Sequence, residues 1–236
     1  MSRLGRIICA NLLALCAPVA AEENCFAFLN AHPQRRELPK EEAEQIQREH
    51  IAHIGKMAKD GHLIAAGPMM DGGNWRGILI FQCQSPEQVK ALAEQDPAVL
   101  NKRLVVEAYR WSNTGGIGVE YKKALAANPS HRGKMLRYPV ALIKKNRNGP
   151  ALSEEKAAET RAQHEESVKR LRVEGKLAVA GPFQQGGDLL GVFIYQQMPK
   201  DEARRLTEGD PLVSTGAATF EMYEWLCEEK VMPAAN

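Results

Sequence analysis

Residues 50–69 read HIAHIGKMAKDGHLIAAGPM, and residues 164–183 read HEESVKRLRVEGKLAVAGPF. Aligned on their leading histidines, the two stretches share a glycine (Gly61 and Gly175) and then the same tripeptide, Ala66-Gly67-Pro68 and Ala180-Gly181-Pro182. The register continues without a gap. Gly72, Gly73 and Gly77 fall on Gly186, Gly187 and Gly191, Asp96-Pro97 falls on Asp210-Pro211, and Glu107, Tyr109 and Trp111 fall on Glu221, Tyr223 and Trp225. One unit of roughly 100 residues occurs twice, and a unit of that size can bury a core of its own.

Working outward, each copy resolves into the same elements. In the first, Cys25 to Leu29 is a short apolar run that suits a buried strand. Pro39 opens a helical pattern from Lys40 to Asp60, and Gly61 supplies the left-handed residue that ends it. Leu63 to Met69 and Gly77 to Cys83 read as strands separated by the turn Asp71-Gly72-Gly73-Asn74. Ser85-Pro86 starts a second helix that ends near Asp96, and Leu104 to Trp111 is rich in strand formers. The second copy repeats this order with strands at Tyr138 to Ile143, Leu177 to Phe183, Leu190 to Gln196 and Phe220 to Trp225. Its helices run from Ser153 to Glu174 and from Lys200 to Gly209.

The expected fold class is α+β, with two tandem ferredoxin-like β-α-β-β-α-β modules. A four-stranded antiparallel sheet with helices on one face leaves the other face apolar and uncovered. The two copies can cover each other, which gives a pseudo-dimer within one chain whose sheets face across a shared core. The expected division is 22–113 for the first module, 114–134 for a linker with a short helix over Val119 to Ala127, 135–228 for the second module and 229–236 for a tail.

Residues 1–21 read as a secretory signal: Arg3 and Arg6 precede the apolar segment Ile7 to Ala17, and Val19-Ala20-Ala21 offers a small-residue cleavage site. Lipidation at Cys16 is the weaker alternative, because Leu15 stands where a small residue is wanted. Cleavage implies a periplasmic or secreted protein with no membrane association afterwards. It removes two arginines and no acids from a chain with 31 basic and 29 acidic side chains, and leaves a neutral balance. Without a basic block, nucleic acid is excluded as a partner. Cys25, Cys83 and Cys227 remain, enough for one disulfide and one thiol; Cys25 with Cys227 is the obvious candidate pair because both lie at outer ends of the folded unit, but sequence alone does not establish their distance.

The doubled pattern of helix histidine, glycine stop, Leu-x-x-Ala-Gly-Pro strand, Asp-Pro and Tyr-x-Trp strand resembles the YciI-like (YCII-related) family of dimeric α/β-barrel proteins. It covers nearly all of residues 25–113 and 136–227. Members usually carry one such module and pair it with a second chain, so this chain resembles a fused tandem version. The resemblance implies small-molecule chemistry with a His and an Asp as an acid/base pair in some relatives, and no assigned activity in most.

The residues themselves support the histidine directly. Helical spacing puts Ala43, Ile46, His50, Ile54 and Met57 on one stripe and Ala157, Thr160, His164, Val168 and Leu171 on its counterpart, so both histidines face the sheet. Imidazole is the side chain whose ordinary protonation equilibrium lies near neutral pH, which suits a proton shuttle. The competing reading is a hydrogen-bonded core histidine. Asp96 and Asp210 either orient the histidines or serve as turn residues before proline. Asp71 is a third carboxylate candidate, matched by Gln185, and His53 is matched by Ser167. Those two departures single out the first half as the one to test. Trp111, Trp225, Tyr109 and Tyr223 share strand faces and fit core packing better than a ligand cleft. No metal site and no cofactor is expected, since His50 and His53 lack a third ligand at a suitable spacing. The expected partner is a small-molecule ligand or substrate, taken in a cleft between the first helix and the sheet of each module, by a cofactor-free acid/base enzyme of isomerase or lyase type or by a non-catalytic binding module. A third reading has the duplication serve structure and assembly alone, and further self-association stays open.

Overall fold

The computed structural model describes residues 22–235, so the signal-like segment lies outside the described residues. The first copy contains β1 (Glu22–Ala31), α1 (Lys40–Lys59), β2 (Leu63–Pro68), β3 (Trp75–Phe81), α2 (Pro86–Ala93), the single turn α3 (Pro97–Leu100) and β4 (Leu104–Asn113). After α4 (Val119–Ala127), the second contains β5 (Met135–Lys145), α5 (Glu154–Val173), β6 (Leu177–Gln184), β7 (Leu189–Tyr195), α6 (Lys200–Glu208), α7 (Pro211–Ser214) and β8 (Ala218–Glu228). Local chemistry accounts for the boundaries. Ser85 and Ser153 accept from the backbone N–H of Gln88 and Lys156 at the starts of α2 and α5, and Gly61 and Gly175 take φ of 81° and 66° just past α1 and α5.

The strands form one antiparallel sheet in the order β2-β3-β1-β4-β6-β7-β5-β8. Within each module the first strand lies between the third and fourth, as the split βαβ order requires. The modules join at their edges through two equivalent seams. At one, Trp111 of β4 pairs with Phe183 of β6; at the other, Trp225 of β8 bridges Met69, which follows β2. The second seam brings the ends of the sheet together, so the two module sheets curl into a barrel instead of only facing each other. Closure removes edge strands that would otherwise be open.

Alternation along the strands then sorts the side chains. Phe26, Phe28, Ile78, Ile80, Val140, Leu142, Val192 and Ile194 point into the barrel with Trp111 and Trp225, forming the shared core. Cys25, Ala27, Leu29, Leu79 and Phe81 point outward beneath α1 and α2, and Ala141, Ile143, Phe193 and Tyr195 do the same beneath α5 and α6. Both tryptophans, with Tyr109 and Tyr223 packed against the same cluster, are barrel residues. Ile117 after β4 and Val231 and Met232 after β8 pack into it too, which ties linker and tail to the barrel.

The seams explain the glycines of the Ala-Gly-Pro repeats. A Cβ on Gly67 would lie 1.7 Å from the Leu226 carbonyl oxygen, and one on Gly181 would lie 1.9 Å from that of Ser112. At each place the backbone of the other module crosses where a side chain would stand, and the indole N–H of Trp225 or Trp111 donates to the Gly67 or Gly181 carbonyl at 3.0 or 3.1 Å.

A disulfide joins Cys25 to Cys83, with Cα atoms 5.8 Å apart, in place of the candidate pair Cys25 with Cys227, and Cys227 is a buried free thiol. Strand parity gives the reason. Cys25 lies on the helix-covered face and pairs in register with Phe81, two residues before Cys83, whereas Cys227 lies in the barrel cluster on the opposite face. Burial pushes the Cys227 thiol up, away from the reactive thiolate form.

Candidate functional site

Beneath α1, His50 projects from the buried stripe it shares with Ile46 and Met57 and meets Asp96, the residue before α3. His50 Nδ1 lies 2.7 Å from Asp96 Oδ2, and both side chains are almost fully buried. The other carboxylate oxygen, Oδ1, accepts the Ala98 N–H at 2.8 Å and so caps α3. Asp96 thus both starts a turn of helix and hydrogen-bonds the histidine. A carboxylate can only accept, so Nδ1 carries a proton, and in the neutral ring it is Nε2 that keeps the lone pair. Among the described residues Nε2 has no hydrogen-bond partner, and His50 is one of the residues that line a cleft between α1 and the sheet.

The second module builds the same pair. His164 Nδ1 lies 2.8 Å from Asp210 Oδ2, and Asp210 Oδ1 accepts the Leu212 N–H at 3.0 Å to cap α7. What differs is the space above the imidazole. The cleft at His50 has a volume of about 470 Å³, within the range of small-molecule sites, whereas the one at His164 has about 30 Å³, room for little beyond water. Phe193 fills the second cleft and stacks on the His164 ring at 5.7 Å with an interplanar angle of 12°; its counterpart in the first module is Leu79.

The other candidates lie elsewhere. Asp71 sits at the β2–β8 seam, where Oδ1 accepts the Glu224 N–H at 2.8 Å and Oδ2 pairs with Lys200. Burial opposes its charge, but the Lys200 ammonium and the Glu224 N–H outweigh it and hold the carboxyl below its ordinary value. A group lowered on folding contributes stability that is present above its unfolded pKa and lost as pH falls through the folded one. Asp71→Asn is therefore expected to cost at most about 1 kcal/mol at neutral pH. Denaturant titrations of the two proteins should converge at acid pH; a constant difference across that window would be inconsistent with a charge effect.

His53 donates from Nε2 to the Leu92 carbonyl at 3.1 Å and ties α1 to α2. With His50 bound to Asp96 and His53 to backbone, the two are not paired for a metal, and no group of three His, Cys, Asp or Glu side chains converges among the described residues.

Sequence reasoning missed three arginines. Arg35, Arg76 and Arg103 line the first cleft, where the second module has Gly149, Leu190 and Ala217. Strand alternation would send Arg76 into the barrel with Ile78 and Ile80. A bulge redirects it: Leu29 pairs with Gly77 and Asn30 with Trp75, so Arg76 is the extra residue and turns towards the cleft. The same bulge in the second module turns Leu190 into the apolar cluster beneath α5.

A closed barrel of two fused ferredoxin-like modules, each with a His–Asp pair under its first helix, defines an intrachain version of a dimeric α/β-barrel protein. The chain belongs to the YCII-related domain family, which matches it twice, over residues 25–112 and 139–226. Among solved structures it is similar to a mutant chlorite dismutase from Candidatus Nitrospira defluvii in complex with cyanide, with a TM-score of 0.55, 11% identity and coverage of 88% of this chain and 91% of that one. It is also similar to the chlorite dismutase-type protein TA0507, with a TM-score of 0.52, 14% identity and coverage of 90% and 95%. At such identities the likeness is one of fold. No curated protein matches the chain.

Proposed function

We propose that the first module is a proton-transfer enzyme, of isomerase or lyase type, acting on a small organic molecule. The observation that carries this reading is the buried His50–Asp96 pair, which leaves Nε2 unbonded among the described residues, on a histidine that lines a cleft of about 470 Å³. Nε2 would take a proton from a C–H bond beside a carbonyl. The imidazolium would then return that proton to another carbon, for isomerisation, or to a departing group, for elimination. Asp96 would hold the ring and stabilise the imidazolium while the proton resides on it. In the second module the closed cleft and the stacked Phe193 favour a structural role, in which His164 and Asp210 tie α5 to α7. The signal-like N-terminus and the Cys25–Cys83 disulfide support export to an oxidising compartment.

The test exploits the asymmetry between the modules. Leu79→Phe gives the first cleft the residue that fills the second. A panel of small cyclic and open-chain carbonyl compounds is incubated with protein in D2O, and deuterium entering carbon is followed by NMR. Exchange by the wild type should vanish in Leu79→Phe and persist in His164→Gln. Exchange that survives Leu79→Phe in a folded protein, or that is lost equally with His164→Gln, would refute the assignment.

A further inference from the structure

The charged ends of the three arginines of the first cleft make no polar contact that would hold the fold. None of their guanidinium groups is hydrogen-bonded or ion-paired among the described residues, and no carboxylate lines the cleft. They come from three separate places in the chain: Arg35 from the turn after β1, Arg76 from the bulge in β3 and Arg103 from the turn between α3 and β4. They also lie close enough to repel one another. Burial first, then the charges of Arg103 and Arg76, push the Arg35 guanidinium down from its ordinary value. Uncompensated positive charge gathered at one cleft costs stability, and the second module, where the same three positions carry Gly149, Leu190 and Ala217, shows that the fold does not need it.

Besides the arginines the cleft is lined largely by apolar side chains, among them Ile46, Ile51, Ile54, Leu79, Leu104 and Met135. Ile51 and Met135 are each about half exposed at its rim, at 56% and 49%. Guanidinium groups recognise planar oxyanions through paired N–H donors, and an apolar wall recognises a hydrocarbon body.

We infer that the first cleft binds a small organic carboxylate, with the acid group held by Arg35, Arg76 and Arg103 and the apolar body lying along α1 towards His50. The inference deepens the enzymatic reading by naming its substrate class, but the binding it asserts does not require that His50 transfer a proton. An ionised acid beside the reacting carbon also fits the chemistry, because guanidinium groups would offset the extra negative charge that develops when a neighbouring proton leaves.

The experiment is equilibrium binding by calorimetry to the full chain, with benzoate and phthalate as probes, benzyl alcohol as the neutral analogue and inorganic phosphate as the oxyanion without a body. Arg76→Leu and Arg103→Ala install residues that the second module already accommodates. Wild type is expected to bind phthalate and benzoate saturably, and each single variant to weaken phthalate roughly tenfold or more, as the loss of a charge-assisted contact requires. The double variant is expected to abolish binding. Benzyl alcohol binding as tightly as benzoate would overturn the inference, as would phosphate binding as tightly as phthalate, no carboxylate binding in the millimolar range, or phthalate affinity unchanged in the double variant. His50→Gln separates the two readings. Phthalate binding retained in that variant upholds the carboxylate site whatever becomes of catalysis, and if no proton exchange is ever found while the arginine dependence holds, only the enzymatic reading fails.

Discussion

Trp225→Ala is expected to destabilise the protein by about 3–5 kcal/mol, the range for removing a large buried aromatic side chain. Trp225 is fully buried in the barrel and performs two tasks there. Its ring fills the shared core, and its indole N–H donates across the module boundary to the Gly67 carbonyl at 3.0 Å. Trp111 does the same across the other seam, to Gly181 at 3.1 Å, so Trp111→Ala should have a cost of similar size. Gly67→Ala attacks the Trp225 seam from the opposite side, where the added methyl would meet the Leu226 carbonyl, and should cost about 1–3 kcal/mol. Trp225 and Gly67 act at one place, so their effects should be non-additive in a double-mutant cycle, whereas Trp225 and Gly181 should add. Because both modules contribute side chains to one barrel core, urea unfolding should remain a single transition in every variant. A loss below about 1 kcal/mol in Trp225→Ala, or two separate transitions in the wild type, would show that the barrel interior is not a shared core.

The internal repeat makes the two modules and their element order readable in the amino-acid sequence. The Ala-Gly-Pro tripeptides point to close backbone approach, and the Tyr-x-Trp strands to packing, because glycine and large aromatic residues have few other uses within strands. Barrel closure is less legible. It depends on Trp225 reaching Met69 across the chain, and no local pattern encodes which sheet edges meet. The disulfide is misread when chain ends are weighed instead of strand faces: Cys25 and Cys227 lie on opposite faces of the sheet. Of the polar residues, His50 and Asp96 are legible as candidates from helix spacing and the Asp-Pro pair, and the structure brings them within 2.7 Å. Asp71 stands out because its counterpart differs, but the contact that occupies it, Lys200, comes from the other module and is invisible locally. The differences that shape the cleft are Arg76 against Leu190 and Leu79 against Phe193. The bulge hides the arginine, because it reverses the face that strand alternation assigns. Leucine against phenylalanine is a conservative change in polarity, and its consequence arises only from the place of the Phe193 ring, lying on His164.

Asp96→Asn should lower the turnover number for a substrate of the first module by roughly 100-fold or more, and His50→Gln by up to about 10,000-fold, the range in which positioned general acid/base groups contribute. The asparagine variant is informative because it keeps shape while changing chemistry. Asn caps helices about as well as Asp, so the bond from Ala98 N–H and the α3 turn should survive. What is lost is the anion 2.7 Å from Nδ1, and with it both the preference for a proton on Nδ1 and the stabilisation of the imidazolium. The free Nε2 would then no longer be reliably the proton acceptor. Substrate binding should be preserved, so KM should change by only a few-fold while kcat falls, the pattern of a group that acts only when the proton moves. The identical change in the second module, Asp210→Asn, is the internal control. It disrupts the same buried pair and the same kind of cap, beneath a cleft of about 30 Å³ that has no room for substrate. If Asp96 only braces α1 against α3, the two variants should lose similar stability and show similar turnover. If it prepares His50 for proton transfer, their stability losses should match and only Asp96→Asn should lower kcat.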